Sequence, residues 1–224
     1  GHALSPLGVQ GEDAVDIDLH LLVGGSLLEA GGVVTEGFEV DHLTQTTDLM
    51  PTILDFHGID APAEATSHSL APLLDGRPTD RETAILGMFA GPICITDGRY
   101  TYYRFPEEPE GAPLPAYTVM PSHLEILFSD EEMRTAELAE PFDFTKGSPV
   151  MKIKLDPEVG ETGRACVANW HDGSCLFDLK EDPGQLTPID DEQIVARMTA
   201  AIVQHLREHD APTETYAHYG LHET

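Results

Sequence analysis

The sequence is short of positive charge. Its 224 residues include 12 Lys and Arg against 40 Asp and Glu, a formal net charge of −28. The only lysines are Lys146, Lys152, Lys154 and Lys180. Nucleic acid and anionic lipid are bound through basic patches, so neither nucleic acid nor membrane is an expected partner. No apolar run approaches the ~18 residues that cross a bilayer, and no signal-peptide pattern opens the chain. Cysteine is scarce too. Cys94, Cys166 and Cys175 are odd in number and lack metal-ligand spacing. They read as free, mostly buried thiols of a reducing compartment. No internal repeat is visible. The chain has no initiator Met and starts Gly1-His2-Ala3, as a fragment or a processed product would.

What is present is ordinary except for the acids. The apolar content is 41%, a globular value, and a chain of this length can bury a core in one or two domains. Two readings of the charge compete. One is a disordered, acidic interaction protein. The other is a folded protein of a high-salt cytoplasm, where salt screens a repulsion that would otherwise destabilise the compact state. The acids are scattered between periodic apolar segments and form no blocks, which favours the second reading and a cytoplasmic location.

Local signals place the elements. Residues 1–18 are polar and Gly-rich, and the apolar run Leu19–Val23, ended by Gly24-Gly25, predicts a buried strand. Asp48 as N-cap, Pro51 in the first turn and Gly58 as left-handed C-terminal cap predict a helix over 48–57. Ser69–Gly76 repeats that pattern in a shorter helix. From about residue 84 the pattern turns to strands. Ile93–Thr96, Asp97-Gly98 and Arg99–Tyr103 predict a hairpin with a type I′ turn. Arg99 is expected to pair across a strand with an acid. Residues 106–116 read as a loop and 130–139 as a helix. Lys152–Leu155 and Cys175–Leu179 read as strands. A helix spans about 190–209, with a capping box of Asp190 and Gln193 and an apolar stripe through Ile194, Met198, Ile202 and Leu206. After Pro212 an irregular tail is expected.

Two segments carry a family resemblance. The first is Asp48-Leu49-Met50-Pro51-Thr52-Ile53-Leu54-Asp55-Phe56-His57-Gly58-Ile59, followed by Ser69-Leu70-Ala71-Pro72-Leu73-Leu74-Asp75-Gly76. The second is Leu176-Phe177-Asp178-Leu179-Lys180-Glu181-Asp182-Pro183-Gly184-Gln185. In this order they resemble the C-terminal half of a sulfatase, in the alkaline-phosphatase-like superfamily. The start, Gly1-His2-Ala3-Leu4-Ser5-Pro6-Leu7-Gly8-Val9-Gln10-Gly11-Glu12, resembles a Gly-His-x-Leu-Gly-x-x-Gly-x-x-Gly-Lys stretch of that family. It departs from it at Glu12, where a carboxylate replaces a lysine that contacts the sulfate ester. Ile95–Tyr100, Tyr117–His123 and Phe142–Pro149 resemble one sulfatase subgroup.

The resemblance implies a division of labour. Sulfatases carry a formylglycine made from the Cys or Ser of a Cys/Ser-x-Pro-x-Arg motif, beside Ca²⁺ or Mg²⁺. Cys94, Cys166 and Cys175 are each followed by other residues, and the metal-binding aspartate pairs are missing. No catalytic residue and no metal ligand is therefore assigned, and no cofactor is expected in this chain. His2, His123 and Lys146 are the candidates for contacting a sulfate-ester substrate. Asp48 and Asp55 are assigned capping and surface roles. The pairs His205/His209 and His218/His222 have zinc-compatible spacing but lack the zinc-protease Glu, and read as surface histidines.

The implied architecture is α/β. Residues 1–83 would be the C-terminal part of a sulfatase-like α/β domain. Residues 84–224 would be a small antiparallel sheet packed on a C-terminal helix. The implied function is that of the C-terminal part of a sulfuric ester hydrolase, inactive alone and completed by an N-terminal catalytic half or by self-association. A phosphodiesterase or phosphonate hydrolase of the same superfamily is one alternative. A non-catalytic subunit or remnant with an assembly role is the other.

Overall fold

The computed structural model describes residues 41–74, 76–87, 89, 91–107, 114–120, 122, 127–155 and 173–222. The fold is mixed α/β, with antiparallel sheets and a C-terminal helix. A four-stranded sheet has the order β1 (Ala84–Gly87), β2 (Ile93–Thr96), β3 (Tyr100–Arg104), β7 (Cys175–Asp178). A three-stranded sheet has β6 (Val150–Lys154) between β4 (Pro115–Thr118) and β5 (Glu137–Ala139). Two compact units divide the chain. The first takes the described residues within Gly1–Ala84, Ile95–Thr101 and Leu176–Asp190, and the second those within Ile85–Cys94, Tyr102–Cys175 and Asp191–Thr224.

In the first unit, a 3₁₀ turn at Thr46–Asp48 leads into helix α1, Leu49–Phe56. Pro51 sits in its first turn, where a missing N–H leaves no bond unmade. Gly58, at φ +64°, ends it. The Gly58 N–H returns to the Asp55 carbonyl and the Ile59 N–H to that of Leu54, each at 2.9 Å. This is a complete Schellman cap, and it satisfies carbonyls that the helix end would otherwise leave open. Helix α2 is the short Ala71–Leu74. The hairpin turn differs from the type I′ expectation, because Gly98 alone has positive φ (+87°). The reason lies in the Asp97 carboxylate, which accepts the N–H groups of Arg99 and Tyr100 at 2.9 and 2.6 Å. Asp97 thus closes the turn with its side chain and needs no left-handed backbone of its own.

In the second unit, β4 and β5 both pair antiparallel with β6. Phe128, Ile153 and Leu155 form a buried cluster with Ala116, Ala136 and Met151 packed against it. Period-two alternation puts Tyr117 and Lys152, which are register partners, on the opposite face from Ile153. The helix expected over 130–139 stops after one turn as α3, Asp130–Met133. A Ser129/Glu132 capping box starts it. Thr135 then ends it by exchanging bonds with Lys154, whose N–H donates to Thr135 Oγ1 at 3.0 Å, and the next residues join β6 as β5. Pairing with β6 satisfies more backbone there than a marginal helix would.

Helix α4 spans Glu192–Glu208. Its N-cap is Asp191, not Asp190, and the Asp191 side chain accepts the N–H groups of Gln193 and Ile194. No Glu or Gln stands three residues on, so the expected box becomes a simple cap. Met198 and Ile202, from the predicted stripe, are fully buried. The tail after Pro212 is not irregular. It forms α5, Thr213–His218, with Tyr216, Tyr219 and Leu221 buried. Arg104 Nε donates to the Tyr219 carbonyl at 2.8 Å, and the Tyr219 hydroxyl donates to the Gly91 carbonyl. Among the described residues no helix is long and apolar enough to cross a membrane.

Candidate functional site

Of the three predicted substrate-contacting residues, His2 and His123 lie outside the described residues. Lys146 is exposed and occupies an unusual backbone position. It caps a 3₁₀ turn at Asp143–Thr145 in the left-handed region, φ 55° and ψ 41°. For a residue with a Cβ this conformation costs about 1–2 kcal/mol, so the surrounding turn must hold it. Thr145 Oγ1 lies 2.8 Å from both the Phe142 and Ser148 carbonyls, the Ser148 N–H returns to the Thr145 carbonyl at 3.0 Å, and Gly147 follows at φ +79°. The Asp143 N–H is tied to the Asp210 carboxylate at 2.8 Å.

Beside this turn stands a cluster that sequence reasoning did not assemble. The Phe142 and Phe144 rings stack in parallel at 5.3 Å, and Tyr117 meets Phe142 edge-on at 5.2 Å. Lys152 Nζ lies 5.4 Å from the centre of the Tyr117 ring and donates to the Glu214 carboxylate. The Tyr117 hydroxyl donates to the same carboxylate at 3.2 and 3.3 Å. Tyr117 and Glu214 are separated by 97 positions in the chain, so no local pattern links them. The one available signal was the rarity of lysine, since three of the four lie within 146–154.

The electrostatics limit what this cluster can do. The Lys152 ammonium holds Glu214 below the usual glutamate range, and the carboxylate holds Lys152 above the usual lysine range. Near neutral pH Glu214 has no proton to give and Lys152 is no base. The pair orders the Tyr117 side of the cluster. The described cysteines are equally unreactive. Burial pushes the Cys94 thiol up to about 12 and Cys175 up to about 11, so neither supplies a thiolate nucleophile. Among the described residues no group of three or more His, Cys, Asp or Glu side chains is placed to hold a metal ion. His205 and His209 stack with ring centres 6.3 Å apart.

The polar residues of the resembling segments serve structure. Asp48 is completely buried. Its carboxylate accepts the Gln45 N–H at 2.8 Å, the His68 N–H at 3.1 Å and the Arg81 guanidinium. It stands at the N-cap position of α1, yet its side chain makes no bond to that helix; it caps the preceding 3₁₀ turn instead, through the Gln45 N–H, and adds a buried ion pair with Arg81. Thr52 Oγ1 accepts the Leu70 N–H at 2.8 Å, and exposed Asp55 accepts the Ser69 hydroxyl at 2.7 Å. Arg99 pairs with Asp178 at 3.1 Å, the cross-strand acid expected for it, and keeps that carboxyl below its ordinary range.

No protein-family model matches the chain, and no curated protein matches it. Among solved structures it is similar to a "putative sulfatase" from Bacteroides thetaiotaomicron, with 20% identity over 80% of this chain and a TM-score of 0.42. It is also similar to a 2-O GAG sulfatase, with 18% identity over 80% of this chain and a TM-score of 0.42. The chain spans 28% of the length of each of these two structures.

Proposed function

We propose that this chain is the C-terminal part of a sulfatase-like hydrolase, supplying scaffold and a substrate-facing lysine turn but no nucleophile. One observation carries the reading. The family-like segment Asp48–Ile59 and the following Ser69–Gly76 form one structural unit, because Asp48, Thr52 and Asp55 each place their side chains on residues 68–70. A motif pair whose polar residues answer each other is specific in a way that a helix pattern alone is not. Lys146, held left-handed at the tip of an exposed turn, is the residue we assign to the sulfate ester, and Ca²⁺ or Mg²⁺ would be held by the N-terminal part of such an enzyme. The high-salt cytoplasm read from the charge belongs to the same proposal.

The test is an assay of the purified 224-residue chain on an aryl sulfate with Ca²⁺ in molar KCl. Alone it is expected to give no turnover above buffer. Mixed with a polypeptide carrying the Cys-x-Pro-x-Arg segment, it should hydrolyse the sulfate, and Lys146→Ala should raise KM. Turnover by the chain alone that survives repeated purification would overturn the proposal. A reconstituted enzyme that cleaves phosphodiesters and spares sulfate esters would favour the superfamily alternative.

A further inference from the structure

The β2–β3 turn carries a chemically reactive pair, Asp97-Gly98. In such a pair the backbone nitrogen of the glycine can attack the aspartate side-chain carbon, because glycine has no Cβ to crowd the approach. Here both reacting groups are engaged elsewhere. The Gly98 N–H donates to Thr96 Oγ1 at 3.1 Å, and that hydroxyl donates in turn to the Tyr100 carbonyl at 2.9 Å. One oxygen of the Asp97 carboxylate accepts the N–H groups of Arg99 and Tyr100 at 2.9 and 2.6 Å. The backbone around them is fixed as well. The Asp97 N–H reaches the Tyr100 carbonyl at 3.2 Å, and the Leu179 N–H reaches the Arg99 carbonyl at 2.7 Å. Water has access to the pair, since Gly98 is exposed and Asp97 half-buried, whereas Thr96 is buried.

We propose that Asp97-Gly98 is a site of isoaspartate formation, suppressed by the folded turn and released by unfolding, and that conversion keeps the chain from refolding. The chemistry needs no reactant but solvent. The Gly98 nitrogen bonds to Asp97 Cγ and loses its proton, and a carboxyl oxygen leaves as water, which gives a cyclic succinimide. Water then opens the ring. Cleavage between the nitrogen and Cγ restores aspartate. Cleavage between the nitrogen and the Asp97 main-chain carbonyl leaves the peptide running through Cγ, which is isoaspartate. Ring closure must turn the Asp97 side chain onto the Gly98 nitrogen and free that nitrogen from Thr96, so the turn opposes it with bonds at both reacting ends. In isoaspartate the main chain gains a methylene within the turn, and the free carboxylate sits directly on Cα. It is then too short to close the turn as the Asp97 side chain does, and β2 and β3 lose the register that the turn sets.

The experiment incubates the full chain at neutral pH in molar KCl, with and without urea, and circular dichroism confirms the folded and unfolded forms. In the tryptic peptide Glu82–Arg99 the only Asp is Asp97, and electron-transfer fragmentation of that peptide scores isoaspartate. Conversion in the folded chain should be slower by about tenfold or more. Thr96→Val removes the acceptor of the Gly98 N–H; it should speed conversion about threefold or more in the folded chain and leave the rate in urea unchanged, and Thr96→Ser should restore protection. After dilution from urea, gel filtration separates refolded chains from those that fail to refold, and isoaspartate at position 97 should be confined to the latter. Equal rates in the folded and unfolded chains would overturn the proposal. So would a folded Thr96→Val that converts no faster, or refolded chains that carry as much isoaspartate as the rest.

Discussion

Replacing Asp48 by Ala should be the most damaging single change to the first unit. The Asp48 side chain is fully buried and that of its partner Arg81 is 8% exposed. Truncation leaves the Arg81 guanidinium with the Gln45 side-chain oxygen but without its counter-charge, and removes the acceptor of two backbone N–H groups, those of Gln45 and His68. Breaking a buried pair by removing one partner costs about 3–5 kcal/mol, which is a large share of a typical stability of about 5–15 kcal/mol. Arg81→Ala leaves the carboxylate its two backbone donors, so it should cost less, about 2–3 kcal/mol. The double variant should fall short of the sum by about 1–3 kcal/mol, since each single change already destroys the pair. Urea melts in molar KCl, followed by circular dichroism and by protease resistance around α1, measure all three variants. An Asp48→Ala loss under about 1 kcal/mol, with additive single effects, would refute the view that this carboxylate ties α1 to residues 68–81.

Three further outcomes are expected. Glu214 has a lowered folded-state pKa, so its pairing with Lys152 adds stability above the ordinary glutamate value of 4.5 and loses it as pH falls through the lower folded value. Both groups are partly exposed, so the contribution stays below about 1 kcal/mol; Glu214→Gln should flatten that acid limb in pH-resolved thermal melts, and an unchanged limb would contradict the assignment. Gly220 ends α5 at φ +59°, and a Cβ there would run into the Glu107 carboxylate; Gly220→Ala should cost about 1–2 kcal/mol by denaturant melt, mostly from the backbone conformation and so only partly recovered by adding Glu107→Ala. In a Cys166→Ser background, Cys94 and Cys175 should resist a thiol reagent at pH 8 in the native state and react together on unfolding, because burial keeps both protonated; fast native labelling would show that this part of the sheet opens readily.

The elements that could be read from sequence are those whose causes are local. Pro51 and Gly58 bracket α1, the stripe through Met198 and Ile202 marks α4, and Asp97-Gly98 marks the β2–β3 hairpin. Each signal acts within a few residues of the backbone it shapes. Where the sequence misled, a distant partner had decided the outcome. Residues 137–139 carry no strand pattern and become β5 only because β6 offers them a ladder. The segment after Pro212, expected to be irregular, has a Pro at its start and Gly220 at its end, which were a legible helix frame. Tyr219, buried at its end, is held by hydrogen bonds with Arg104 and Gly91, more than a hundred positions away.

The candidate site divides along the same line. The chain by itself determined its acidic surface, its lack of a Cys-x-Pro-x-Arg nucleophile and the exposed Thr-Lys-Gly turn, because these follow from residue type and near neighbours. Tertiary structure alone decided that Asp48 is a buried ion-pair partner as well as the cap of a 3₁₀ turn, and that Tyr117, Lys152 and Glu214 form one cluster. A charge's role depends on its solvation and on the dipoles around it. Those are set by chain segments that meet only on folding.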